Sequence, residues 1–190
     1  LIKSTIYCSL KERCDGDPAG PQVLSLVDDA TFFAYQKTKT ILMHMGEFTL
    51  HDGDHLFRVL MLMEKLLSPE RISELSVPEL MLLILSAFFH DIGMAADEKH
   101  VRAWKKVWDN SPSLSSNEKV EFNKFNRFYL SKPELNAQLE KYTSQGHNSD
   151  ADLLKSYIIS DYIRITHAER ARDIISSDWL DKIKYRDVDL

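Results

Sequence analysis

Ser76-Val77-Pro78-Glu79-Leu80-Met81-Leu82-Leu83-Ile84-Leu85-Ser86-Ala87-Phe88-Phe89-His90-Asp91-Ile92-Gly93 is the stretch on which the fold class turns. It opens with a serine suited to cap a helix, a proline just inside the helix and a glutamate placed to reach back to the cap. From Leu80 it is almost continuously apolar to Phe89, which predicts a helix buried on most of its sides. Gly93 then supplies a C-terminal stop. The same opening grammar recurs at Ser131-Lys132-Pro133-Glu134. Further amphipathic stretches lie at 29–45, 54–67, 98–109, 117–129, 134–145 and 151–173. Alternating strand patterns joined by tight glycine turns are nearly absent. Cys14 to Pro21 reads as a loop that separates residues 1–13 from the rest, and Asn110-Ser111-Pro112-Ser113 as a second break. There is no internal repeat and no heptad sustained over enough turns for a coiled coil. The expected fold class is therefore all-α, a compact bundle with irregular crossings.

Composition bounds what such a bundle does. The chain has 190 residues, enough for one domain with a single core or two small ones. Apolar residues make up 44% and charged residues 28%, the mixture of a folded globule rather than a disordered tail. A net charge of −5 argues against bulk nucleic acid as the main partner. The run from Leu80 to Phe89 is about half of the roughly 20 residues that span a bilayer, so no membrane partner is expected. Cys8 and Cys14 are too few and too local for a disulfide framework, and a reducing, cytoplasmic setting is expected. Residue 1 is Leu, which leads us to expect a piece of a longer protein.

Ionisable residues interrupt the apolar faces in three places. Asp161 falls in the row Leu154, Ile158, Asp161, Ile165, whose spacing makes one helical stripe. His55 falls in the row His55, Val59, Leu62, Leu66, and His90-Asp91 ends the most apolar segment. Three helices are thus expected to aim a His or Asp at the core. Burying a lone carboxylate costs at least a few kcal/mol, and pairing, protonation or a metal ion is the usual remedy. Two imidazoles and two carboxylates suit Mn²⁺, Fe²⁺, Co²⁺, Ni²⁺, Mg²⁺ or Zn²⁺. Neighbouring helical residues diverge by about 100°, so His90 and Asp91 can both ligate only where the helix ends.

Taken together, His55, His90-Asp91 and Asp161 resemble the H…HD…D signature of the HD-domain metal-dependent phosphohydrolase superfamily. His51-Asp52-Gly53-Asp54-His55-Leu56-Phe57-Arg58-Val59 looks like its first-histidine helix, Ser86 to Met94 like its second motif, and Ile159-Ser160-Asp161-Tyr162-Ile163-Arg164 like its last-aspartate helix. The subgroup most similar is found in larger bacterial proteins, beside Hsp90-type ATPase modules in conflict or defence systems. The resemblance spans residues 30–175. It leaves 1–29 as an N-terminal segment of unknown role and 176–190, with its charged Lys182-Ile183-Lys184-Tyr185-Arg186, as an extension toward a further domain.

The resemblance implies an HD-type fold holding one or two divalent ions, with His55, His90, Asp91 and Asp161 as ligands. His51, His100 and His147 are candidates for a second ion or for the pocket wall, and His167 for the pocket. The implied reaction is hydrolysis of a phosphate ester, a nucleotide or cyclic nucleotide above all. A metal-bound water would be the nucleophile, with Asp91, Asp54 or Glu98 handling its proton. Arg58 and Arg164 lead the candidates for holding the phosphate, ahead of Lys99, Arg102, Arg170 and Arg172, because the guanidinium fork donates two parallel hydrogen bonds. Two other readings compete: a non-catalytic metal- or nucleotide-binding module regulating an ATPase of the same longer chain, and a metal-dependent nuclease. A homodimer is compatible with all three. Trp104 and Trp108, one turn apart, are expected to pack against a neighbouring helix, Phe32, Phe33 and Tyr35 to serve core or interface, and His44 to be structural.

Overall fold

Caps and apolar faces set the element boundaries in the computed structural model, which describes residues 1–41, 53–109, 113–186 and 188–189. Helix α1 (Thr5–Cys14) starts at Ser4, whose fully buried hydroxyl accepts the Tyr7 amide at 3.1 Å and donates to the Glu64 carboxylate. The Ile6 amide donates to the same carboxylate at 3.0 Å, so α1 is capped by a side chain from far along the chain. Helix α2 (Gly20–Thr38) follows, then α3 (Gly53–Leu66), α4 (Pro69–Glu74) and α5 (Val77–Phe89). At the start of α5 the Ser76 amide donates to Glu79 at 2.8 Å, the reciprocal cap that the spacing predicts.

After a short turn of 3₁₀ helix at Ile92–Met94 come α6 (Glu98–Lys105), α7 (Ser116–Leu130), α8 (Pro133–Ser144) and the long α9 (Asn148–Asp178). A hairpin of β1 (Lys184–Tyr185) and β2 (Val188–Asp189) ends the described chain. The fold class is all-α, as expected. The stretch Val77–Trp108 is apolar enough to pass for a membrane span, but it is mostly buried, as a core helix is.

The chain divides into two compact units, one of residues 1–95 with 167–190 and one of residues 96–166, and α9 contributes to both. In the first unit α5 packs against α1, α2 and α3, with Leu80, Met81 and Ile84 fully buried. Ile6, Leu10 and Cys14 of α1 belong to the same core, which gives the N-terminal segment a structural role. Phe33 stacks on Phe89 at 6.4 Å and meets Trp179 at 5.3 Å, whereas Phe32 stays exposed. The Tyr185 hydroxyl donates to Asp17 at 2.7 Å and Arg186 pairs with it at 3.0 Å, fastening the terminal hairpin to the turn between α1 and α2.

In the second unit Trp104 stacks on Phe125 at 6.0 Å, and Tyr162 meets both rings edge-on at 5.1 Å. Trp108 meets Phe125 edge-on at 5.7 Å, so both tryptophans pack against α7 as expected.

Four expectations need correction. α2 begins at Gly20, not at 29, because Pro21 occupies its first turn, where the missing amide costs nothing. Ser131 does not cap α8; it closes α7, its hydroxyl donating to the Phe128 carbonyl, and Lys132 stands at the head of α8. The row of His55 does not run into the core: Leu62 and Leu66 are exposed, and Leu56 and Leu60 are the buried residues of α3. On α9, Ile165 is likewise exposed while Ile158, Ile159 and Ile163 are buried.

Candidate metal centre

Helix α5 carries its apolar face to Phe89 and then stops. His90 keeps near-helical backbone angles as the cap residue, and Asp91 leaves the helix at φ −107°, ψ 7°. That break allows two consecutive side chains to converge. His90 Nε2 lies 2.8 Å from Asp91 Oδ2. From α3, His55 Nε2 reaches the same oxygen at 3.3 Å and His90 Nε2 at 3.3 Å. His55, His90 and Asp91 form a group whose ligand atoms could hold a metal ion.

Second contacts orient the donors. His90 Nδ1 lies 2.9 Å from the Ala87 carbonyl, an acceptor only, so Nδ1 carries the proton and Nε2 faces the group. The hydrogen bond to Asp91 raises the His90 pKa, the Ala87 carbonyl adds to the effect, and burial opposes it. A cation is therefore favoured at this point, and a divalent ion competes with the Nε2 proton for it.

Distances test the fit. Two atoms each about 2.1 Å from one ion and about 90° apart lie about 3.0 Å from each other. Separations of 2.8, 3.3 and 3.3 Å are those of one coordination sphere. Two imidazoles and one carboxylate suit a first-row divalent ion and leave positions for water or substrate.

Gly93 positions this corner. A Cβ on it would collide with the backbone carbonyl of His167 and come within 2.7 Å of the Ala171 amide nitrogen, so only glycine lets the turn approach α9 so closely. Arg170 Nε then donates to the Gly93 carbonyl at 2.8 Å. Gly93 serves this close approach, not the C-terminal stop that its place after the apolar run suggests.

A family model described as HD-CE matches residues 45–190. The chain belongs to the HD-CE family. No curated protein and no solved structure matches it. The HD-CE match takes in His55, His90, Asp91 and Asp161 and leaves out the whole of α1 and α2.

The other candidates are placed as follows. Asp161 lies in the second unit, 12% exposed, with Lys132 Nζ 3.2 Å from Oδ2 and Arg164 Nη2 3.5 Å from Oδ1. Lys132, which also sits 5.1 Å over the Phe128 ring, escaped the sequence reading because its motif looked like a helix cap. Arg58 is exposed on α3 and Arg164 is exposed on α9. His100 is half-buried on α6 beside Trp104, ring centroids 6.4 Å apart. His147 is exposed, stacked 6.3 Å from Tyr142 and 3.4 Å from Asp150. His44 and His51 lie outside the described residues.

Proposed function

We propose that this HD-CE chain is a member of the HD-domain metal-dependent phosphohydrolase superfamily that hydrolyses a phosphate ester, with a nucleotide or cyclic nucleotide as the leading substrate class. The observation that carries the reading is the convergence of two imidazole nitrogens and a carboxylate oxygen within 3.3 Å of one another. It stands at the break of a buried helix, at the positions of the HD signature.

His55 and His90 would hold a divalent ion through Nε2 and Asp91 through Oδ2, and the resemblance nominates Asp161 as a further ligand. Such an ion, when bound, lowers the pKa of water toward about 7 and neutralises phosphoryl charge. The chain's own part is positioning. Ala87 fixes the His90 ring, and Asp91, within hydrogen-bond reach of His90, would take the proton of an attacking water. That water adds to phosphorus, the ester P–O bond breaks, and the proton leaves with the alcohol or nucleoside.

The test is direct. Purified protein is assayed for bound metal and then screened against phosphoesters with and without Mn²⁺. Stoichiometric metal and turnover that disappears in Asp91→Ala support the reading. A wild-type protein inert toward every phosphoester with every divalent metal overturns it.

A further inference from the structure

Away from the His55–His90–Asp91 group, the second unit holds a groove of about 620 Å³ between α6 and the start of α7. Its size is that of small-molecule sites in general and well beyond a single bare anion. Charge compensation along its walls is uneven. Glu118 is saturated: Lys106 Nζ lies 2.7 Å away, and the Ser115 amide and hydroxyl donate to it at 2.9 and 2.8 Å. Those donors hold its carboxyl down at about 2. Glu121 accepts the indole N–H of Trp104 at 3.2 Å and pairs with Lys124 at 3.5 Å.

Both groove carboxylates therefore have their donors within the fold. The groove-lining cations of α6 are less well matched. Arg102 is exposed and makes no ion pair among the described residues, and Lys99 has only Asp97 at 3.9 Å. His100 and Asn117 line the same groove.

We infer that this groove binds a phosphorylated small molecule of mononucleotide size, its phosphate held by Arg102 and Lys99. A guanidinium fork takes two phosphate oxygens at once and a lysine supplies a point charge for the third. One cation without an ion pair and one with only a long contact, on a chain of net charge −5, suit one phosphate group and not a nucleic-acid backbone. The site is made wholly of second-unit residues and does not depend on the hydrolytic reading.

The experiment is calorimetric titration of AMP into the full chain after chelator treatment, with adenosine as the control. Expected are saturable AMP binding, no adenosine binding, and affinity weakened at least about tenfold in the K99A/R102A double variant. Arg102→Glu, a second variant at the same exposed position, loses binding too, while Lys141→Ala, at an exposed lysine of α8 outside the groove, keeps it. Thermal melts of K99A/R102A and Arg102→Glu should superimpose on the wild type, since both side chains are exposed. Absence of AMP binding in the wild type, equal binding of adenosine, or retained AMP affinity in K99A/R102A overturns the inference.

Discussion

Gly93→Ala is the substitution that most directly tests how the metal corner is built. The new methyl meets the carbonyl of His167 and the amide nitrogen of Ala171, the latter at 2.7 Å. Both are backbone atoms of a helix, so no side chain can rotate away. Relief requires the Ile92–Met94 turn to retreat from α9, which stretches the 2.8 Å bond from Arg170 to the Gly93 carbonyl. Overpacking costs about 1–3 kcal/mol. Loss of a hydrogen bond to a charged group adds about 1.5–3 kcal/mol. The reduced freedom of the unfolded chain returns about 0.4–1 kcal/mol. The net loss is about 2–5 kcal/mol, a large share of the stability of an ordinary domain. Urea denaturation of wild type, Gly93→Ala, Arg170→Ala and the double variant measures it. The double variant should fall short of the sum, because both changes act on the same contact. Gly93→Ala within about 0.5 kcal/mol of wild type would refute the close-packing argument.

Ile84→Ala, at a fully buried position of α5, should cost about 2–5 kcal/mol in the same assay. Ser4→Ala removes a buried cap and should cost about 1–2 kcal/mol, read from the denaturation midpoint. His55→Ala should lower divalent-metal affinity at least about a hundredfold by direct titration while the helical circular dichroism is kept. Glu118 titrates from 4.5 in the unfolded chain down to about 2 in the folded one, so its contribution is complete above pH 4.5 and fades as pH falls through about 2. The stability gap between wild type and Glu118→Gln should therefore be constant above pH 4.5 and close toward pH 2 in acid titrations followed by denaturant.

What was legible in the chain was what is written locally. The cap, the apolar run and the His90-Asp91 pair are consecutive, and a helix that must stop there brings both side chains to one point whatever else the protein does. His55 was found by the motif around it rather than by its stripe, since the buried residues of α3 are Leu56 and Leu60. Periodicity locates a helix more securely than it locates the inward face when apolar residues occupy several faces. Lys132 was hidden by a motif with two readings: Ser131 ends one helix while Pro133 begins the next. The Asp17–Tyr185 bond joins residues 168 positions apart, and nothing near either residue announces it. Gly93 was legible as a glycine with a purpose, but the wall it faces is supplied by a helix far along the chain.

Glu64 closes the first turn of α1 from sixty positions downstream. During synthesis at roughly 5–20 residues per second, that carboxylate is added about 3–12 s after Ser4. Helix α1 is thus translated before α2 yet completed only with α3, and its sequence spends that interval without the partner that caps its first turn. A nascent chain stalled before Glu64 should leave α1 ragged, whereas one released beyond it can lock that first turn in place.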